Sequence, residues 1–205
     1  MSSNLISSAR LLSHILNVII SNMIVKKIIQ VGNPILNQKS KKVNNINSKE
    51  TKKVIKDLSD SLRYHSLIGM AASQIGSKQR IFITEVRKTK FRNPNDLDKL
   101  RVYINPKITW TSKNEVIIYE GCGSVANANL FGPVKRPKKI IIKATDEKGN
   151  EFELKVDGIL SRVIQHEYDH LDGIEFTEKI TDIRKIMSSE EYIKFKDRNL
   201  AKSKK

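Results

Sequence analysis

Two histidines and a glutamate in the carboxyl-terminal quarter of the chain have the types and spacing of a hydrolytic metal site. The segment reads Gln165-His166-Glu167-Tyr168-Asp169-His170. In a helix, the two histidines lie about one turn apart on the same face, so both imidazoles can reach one metal ion. Glu167 lies beside them, in position to accept a proton from a water at that metal. The pattern therefore predicts metal-assisted hydrolysis.

The residues around the motif predict that it lies on a buried helix. Asp157 has the residue type of an N-cap, and the segment 157–171 contains no proline. A solvated helix face that happens to carry two histidines is the alternative. We favour the metal site because buried histidines need polar partners and this helix has a broad apolar surface made of Ile159, Leu160, Val163, Ile164 and Leu171.

A catalytic site of this kind usually has three protein ligands, so a third one has to be found. The metzincin pattern requires a histidine six residues after the second one, but that position is Phe176. The thermolysin pattern requires a later glutamate, and Glu190 or Glu191 could serve. These two, however, begin what reads as an ordinary exposed helix capped by Ser188 or Ser189.

Cys122, the only cysteine of the chain, is the third alternative. A lone cysteine is most often a small buried apolar residue, and no intramolecular disulfide can form. Glycines on both sides of it, after the strand-like run Glu115–Tyr119, indicate backbone held close to another group. A thiolate with two imidazoles suits a borderline-soft divalent metal and leaves a fourth position open for water.

Three ordered segments resemble the motifs of the peptide deformylase family. Glu120-Gly121-Cys122-x-Ser124 and Gln165-His166-Glu167-x-Asp169-His170-Leu171-x-Gly173 are similar to the second and third motifs. Leu67-Ile68-Gly69-Met70-Ala71-Ala72-Ser73-Gln74 nearly matches the first motif, Gly-x-Gly-x-Ala-Ala-x-Gln. Gly32-Asn33-Pro34-Ile35-Leu36 is similar to a further segment near the family's amino terminus. The resemblance runs from about Met23 to Ile180.

The resemblance implies a metal-dependent hydrolase that removes the formyl group from the N-formylmethionine of newly made proteins. Cys122, His166 and His170 would bind the metal, which in this family is typically Fe²⁺, with Zn²⁺, Ni²⁺ or Co²⁺ able to substitute. Glu167 would be the general base and would later deliver the proton to the departing amine. The products would be formate and a free amino terminus, and the partners would be N-formylmethionyl nascent peptides.

The resemblance also assigns residues to the substrate. The side-chain amide of Gln74 and the backbone N–H of Gly123 would stabilise the oxyanion of the tetrahedral intermediate. Gly69 and Met70 would bind the peptide, because small residues in this segment let an extended substrate approach the backbone closely. Asp169 is expected either to orient His170 or a neighbouring amide or to be a solvated helix carboxylate.

Two residues depart from the family pattern. Leu67 replaces the first glycine of the first motif, and Gly123 replaces the usual leucine after the motif cysteine. Leu67 adds bulk near the expected substrate channel and does not readily adopt a positive φ. Gly123 removes an apolar wall and loosens the backbone that should face the oxyanion. We expect deformylation to survive, with altered efficiency or side-chain preference.

The expected fold is α+β, with short antiparallel strands packed around the late buried helix. The segment Asn47–Glu50 has capping-box spacing and opens a helix. Asp146–Gly149 reads as a hairpin turn, and 88–99 as a surface loop. The strands are expected at Arg80–Thr84, Val102–Ile104, Lys139–Lys143 and Glu151–Val156. We divide the chain into an extension (1–22), a catalytic domain (23–182) and a basic helix or tail (183–205).

The net charge of +16 favours a polyanionic partner, although a lysine-rich background composition is the simpler explanation. Six basic residues concentrate at the carboxyl end, and we hypothesise that they dock the protein on ribosomal RNA: Lys194, Lys196, Arg198, Lys202, Lys204 and Lys205. The apolar run Leu11–Ile20 is too short and too interrupted to span a bilayer, so no membrane association is expected.

Residues 1–22 precede the first family-like segment and contain no acidic residue. They read either as a transit peptide, which would place the protein in an organelle, or as sequence upstream of a native start at Met23. We favour the second interpretation and a bacterial cytoplasmic location.

The alternative functions for the whole protein are a metallopeptidase of another His-Glu-x-x-His class, and a divergent relative with a different N-acyl substrate or no activity.

Overall fold

The computed structural model of the chain describes residues 24–89 and 97–202. Three α-helices lie in this part, at Lys49–Tyr64 (α1), Gly158–Leu171 (α2) and Ser189–Lys202 (α3). The strands are Gly69–Ala71 (β1), Ile81–Val86 (β2), Asp98–Thr111 (β3), Glu115–Gly121 (β4), Leu130–Pro137 (β5), Ile140–Thr145 (β6), Glu151–Val156 (β7) and Met187–Ser188 (β8). The predicted extension 1–22, part of the loop 88–99 and the last three residues lie outside the described residues.

Two antiparallel sheets carry the fold. The larger sheet has the order β1-β2-β3-β6-β7, and the smaller has the order β4-β5-β8. Helix α2 packs against β1 and β2, and its Ile164 and Leu171 are fully buried in one core cluster with residues of the larger sheet. The α+β prediction, with antiparallel strands around a late buried helix, is confirmed.

Local sequence explains where helix α1 and the β6–β7 hairpin form. Ser48 caps α1 by accepting a hydrogen bond from the Thr51 backbone N–H at 3.1 Å, so the cap lies one residue later than the predicted Asn47–Glu50 box. At the hairpin, the Asp146 carboxylate accepts backbone hydrogen bonds from Lys148 and Asn150, and Gly149 adopts a φ of +90°. The predicted turn is therefore confirmed.

Helix α3 docks on the smaller sheet through aromatic side chains. The Tyr192 ring stacks on Phe131 with centroids 4.3 Å apart, and the Phe195 ring lies 5.2 Å from that of Tyr119. The described part of the segment 183–205, predicted as a basic helix or tail, thus contains β8 and helix α3, and α3 packs on the smaller sheet along one face. Within the described residues, the helices are too short or too polar to cross a bilayer.

Candidate metal centre

The three predicted ligands meet at one point, although His166 and His170 lie 44 and 48 positions after Cys122 in the sequence. Cys122 follows directly after β4, whereas His166 and His170 project from consecutive turns of α2. Their ligand atoms all lie within 4.8 Å of one another, and Cys122 Sγ lies 3.2 Å from His170 Nε2. One thiol and two imidazoles at this separation can hold a single divalent cation and leave a fourth position open.

The chemistry of the donor set fits a metal. Burial raises the pKa of the Cys122 thiol, so a thiolate at neutral pH requires a cationic partner. A divalent cation in direct contact with the sulfur is such a partner and removes the thiol proton outright. Cys122 and His170 are almost fully buried, which excludes competing water ligands from most directions.

The other two alternatives for the third ligand are not supported by the geometry. Phe176, at the metzincin position, is a buried core residue whose ring lies 6.0 Å from that of His166. Glu190 and Glu191 lie in the first turn of α3, and the Glu191 carboxylate is exposed and bonded to Lys194 at 2.7 Å. Cys122 is thus the residue that completes the group.

A buried carboxylate orients the first histidine. Glu120 Oε2 lies 2.9 Å from His166 Nδ1, which directs the other ring nitrogen towards the cluster of ligands. The same carboxylate accepts hydrogen bonds from Arg136 Nε at 2.7 Å and from Arg162 Nη1 at 2.8 Å. Burial alone would raise the pKa of Glu120, but the hydrogen bonds with His166 and Arg136 hold it far below its usual range.

Asp169 does not orient His170. Its carboxylate lies 2.5 Å from Arg136 Nη1 and 3.5 Å from Lys179 Nζ, so it extends the ion pairs around Glu120. The carboxylate nearest to His170 Nδ1 is that of Glu175, at 3.6 Å. Asp169 precedes His170 in sequence, but adjacent helix residues point about 100° apart, and this turns its carboxylate towards β5 instead.

Two of these carboxylates were not singled out by the sequence analysis. Glu120 belongs to the cysteine motif, and its place two residues before a ligand is a usable signal. Glu175 is buried, and neither of its carboxylate oxygens has a hydrogen-bond partner among the described residues. It reaches the site only because the chain turns sharply at Gly173, with a φ of +74°, after α2 ends.

Glu167 lies inside the site with a free proton-accepting atom. Its side chain is 3% exposed, and Oε2 has no hydrogen-bond partner in the described part of the chain. Burial raises the pKa of Glu167 to about 7. Such a carboxylate can both take up and release a proton near neutral pH.

Gly69 faces Glu167 at very short range. A Cβ at Gly69 would lie 2.5 Å from Glu167 Oε1 and 2.6 Å from Val163 Cγ1, so only glycine lets β1 approach α2 this closely. The neighbouring Met70 is fully buried in the core, and so only its backbone can face a peptide. The close approach seen at Gly69 is with the Glu167 side chain, and the approach of an extended substrate to this segment stays a prediction.

Gln74 and Gly123 flank the cysteine. The Gln74 side-chain oxygen accepts a hydrogen bond from the Ala71 N–H at 2.8 Å, which turns its amide nitrogen towards Cys122 Sγ at 3.5 Å and Ser124 Oγ at 3.2 Å. The Gly123 carbonyl accepts a hydrogen bond from the Gln30 side chain at 3.0 Å. Both predicted oxyanion donors thus lie beside the sulfur, on anchored segments.

A cleft between the two sheets gives access to these groups. It is lined by main-chain and side-chain atoms of Leu67, Gly69, Gln74, Gly123, Phe131 and Glu167, together with Cys122 and His166. The cleft thus has an apolar part beside a polar end at the candidate metal ligands. A group that enters the cleft reaches Cys122, Gln74 and Glu167.

Comparison with known proteins agrees with this geometry. The model of the family described as polypeptide deformylase matches residues 25–186. Peptide deformylase 1 of Ralstonia nicotianae is 33% identical over 79% of this chain and 90% of its own length. The peptide deformylase of Dictyoglomus turgidum is 38% identical over 73% of this chain and 89% of its own.

Solved structures give the same result. The Met-Ala-Ser-bound crystal structure of a class I type b peptide deformylase from Acinetobacter baumannii superposes with a TM-score of 0.73. It is 28% identical to this chain, and the match covers 77% of this chain and 99% of that one. The peptide deformylase of Synechococcus elongatus in complex with actinonin gives a TM-score of 0.67 at 28% identity, covering 83% and 85%. With its thiol, its two imidazoles and its buried glutamate gathered at one cleft, the chain belongs to the peptide deformylase family.

Proposed function

We propose that this protein removes the formyl group from the N-formylmethionine of newly made polypeptides, releasing formate and a free amino terminus. The observation that carries the proposal is the convergence of Cys122, His166 and His170 beside the buried carboxylate of Glu167. The names of the relatives and the family match support the same reaction.

We assign Cys122, His166 and His170 as ligands of a divalent metal. Fe²⁺ is the ion we propose, by resemblance to the family, with Zn²⁺, Ni²⁺ or Co²⁺ able to substitute. When bound, such an ion polarises a carbonyl group and lowers the pKa of a water. Glu120 holds the His166 ring in its orientation, with Nδ1 occupied, so that the opposite nitrogen is available as a ligand.

Glu167 is the proton carrier in this proposal. It takes a proton from the attacking water as the water adds to the formyl carbon, and it then delivers that proton to the departing amine. Its free Oε2 and its pKa of about 7 support both transfers. The surrounding apolar residues exclude bulk water from the carboxylate, which keeps the proton on the reacting groups.

The anchored segments around the cysteine support the substrate contacts that we propose. The Gln74 amide and the Gly123 backbone N–H would donate to the oxyanion, each contributing about 3 kcal/mol in comparable sites. Strand β1 is the edge strand of the larger sheet. The backbone of Gly69 and Met70 can therefore pair with an extended peptide as an added strand.

We further propose that the basic face of helix α3 contacts ribosomal RNA and that the protein works in the bacterial cytoplasm, where formylated chains are made. Tyr192 and Phe195 occupy the face of α3 that packs on the smaller sheet. Lys194 and Arg198 are exposed on the rest of the helix surface. A cationic surface of this kind matches the phosphate backbone of RNA.

The decisive experiment is an assay for formate release from a formyl-Met peptide, with Fe²⁺ supplied anaerobically. The parent protein should release formate, and Glu167→Ala should lose at least about 10²-fold in kcat while it keeps its metal. Cys122→Ser should lose its metal content, which a metallopeptidase with another third ligand would retain. Absence of formate release by the metal-loaded parent, with acetylated peptides hydrolysed instead, would assign a different N-acyl substrate.

A further inference from the structure

The two departures from the family pattern face each other across the cleft. Leu67 precedes β1, and Gly123 follows the cysteine 56 positions later, yet both line the same cavity. A Cβ built on Gly123 would lie 3.0 Å from Leu67 Cδ1 and 3.0 Å from Ile28 Cδ1. Side chains at positions 67 and 123 therefore compete for one volume.

The backbones on both sides of this volume are fixed. The Leu67 N–H donates to the Leu62 carbonyl at 3.0 Å, and the Leu67 carbonyl accepts a hydrogen bond from Arg87 at 2.9 Å. On the opposite side, the Gly123 carbonyl is bonded to Gln30 at 3.0 Å. Neither segment can move away to admit a second large side chain without losing these bonds.

Leu67 is in an unstrained conformation. It is absent from the residues with positive φ in the described part of the chain, whereas its neighbour Ser66 has a φ of +56°. The leucine therefore does not suffer the backbone penalty that its replacement of a glycine suggested. Its isobutyl group is part-buried and packs against the same core cluster as Leu100.

We infer that Leu67 supplies, from the opposite side of the cleft, the apolar wall that Gly123 lacks, and that it thereby determines which substrate side chains fit. The inference rests on the deformylase activity proposed above. Leu67 lines the cleft that also holds Cys122, His166 and Glu167, and in this inference it acts as a specificity-determining residue. The size of the residue at 67 and the size of the residue at 123 are expected to be coupled.

The test is a double-mutant cycle of the metal-loaded enzyme with Leu67→Gly, Gly123→Leu and the exchanged pair, which is the double variant that carries both substitutions. Formyl-Met peptides that differ in the size of their second residue, and formyl peptides with a norleucine or alanine in place of the methionine, are the substrates. Leu67→Gly should change the ratio of kcat/KM between large and small side chains by about 10-fold or more at one position. Gly123→Leu alone should lower the Tm and raise KM, and the exchanged pair should recover most of both losses.

Leu100→Ala and Leu67→Ala form the matched control pair, because both leucines pack against the same core cluster and only Leu67 lines the cleft. Both should lower the Tm, but only Leu67→Ala should change the substrate ratios.

The inference is wrong if the ratios stay within about twofold of the parent in both Leu67 variants, or if the losses in the cycle are additive. Should Gly123→Leu fail to fold, Gly123→Ala replaces it in the cycle with the same expected sign. A parent without formate release would overturn the proposed function itself, whereas the Tm coupling tests the shared volume independently of activity.

Discussion

The Glu120 carboxylate lies 2.9 Å from His166 Nδ1 and at the same time accepts hydrogen bonds from two buried arginines. This position makes Glu120 responsible for the orientation of a candidate ligand and, together with Asp169, for the compensation of the charges of Arg136 and Arg162. The burial of these charged groups costs desolvation free energy, which their hydrogen-bonded partners must offset.

Glu120→Gln should therefore lower both stability and metal affinity. Arg136 keeps its ion pair with Asp169, but an amide removes the carboxylate that pairs with the buried Arg162, so we expect a loss of about 3–5 kcal/mol in the free energy of unfolding. The loosened His166 ring should lower metal affinity about 10- to 100-fold. Urea unfolding and competition with a chelator measure the two effects. The matched control is Glu115→Gln, because the exposed ion pair of Glu115 with Lys135 contributes little.

Gly69→Ala should impair both packing and catalysis. The added Cβ would lie 2.5 Å from Glu167 Oε1, so β1 and α2 must separate, at a cost of about 1–3 kcal/mol in the free energy of unfolding. The displaced carboxylate should also lower kcat. In a Glu167→Ala background the same substitution should cost less stability, because the clash with Glu167 is gone and only the clash with Val163 Cγ1, at 2.6 Å, remains. Equal costs in both backgrounds would contradict the contact.

Alkaline pH should destabilise the fold through Tyr103. Burial raises the pKa of Tyr103 to about 12, against which a weak hydrogen bond from Thr84 acts. The folded state thus holds the phenol proton more tightly than the unfolded state, whose pKa is about 10. The stabilisation is complete below pH 10 and is lost as the pH rises to 12, by up to about 3 kcal/mol. Urea unfolding at pH 9 and pH 11.5 should show a smaller decrease in Tyr103→Phe than in the parent.

Charge on α3 should control ribosome association. Replacing Lys194, Lys196 and Arg198 together by glutamine leaves Tyr192 and Phe195 unchanged in sequence and removes three positive charges, together with the contact of Lys196 Nζ with the Tyr192 ring at 5.8 Å. Co-sedimentation with ribosomes should weaken, and its dependence on salt should become shallower. The control removes the same charge elsewhere, at the exposed Lys49, Lys52 and Lys148. Equal weakening by both triple variants would indicate that only net charge matters.

Periodic and local signals in the sequence were sufficient to predict the secondary-structure elements that position the site. The apolar pattern of residues 157–171 predicted α2, and the spacing of His166 and His170 predicted that both face one point. The turn residues Asp146 to Gly149 predicted the β6–β7 hairpin, since their preference for that turn is local.

The remaining features depend on contacts between distant segments. The interaction of Glu120 with His166 requires β4 to lie beside α2, and the approach of Glu175 to His170 requires the turn at Gly173. The ion pair of Asp169 with Arg136 matched neither expectation for Asp169, because it depends on the position of β5 beside α2. The competition between Leu67 and Gly123 likewise becomes visible only once the two sheets are brought together.

Arg162 connects three elements at once: it belongs to α2, bonds to Glu120 of β4 and reaches the Val134 carbonyl of β5. These bonds brace the helix against the small sheet whatever occupies the space between the imidazoles and the thiol. Chelation should consequently leave a folded scaffold that accepts a fresh ion without refolding. A metal bound in such a scaffold would be exchangeable, and the supply of ions in the cell would then determine which one the site holds.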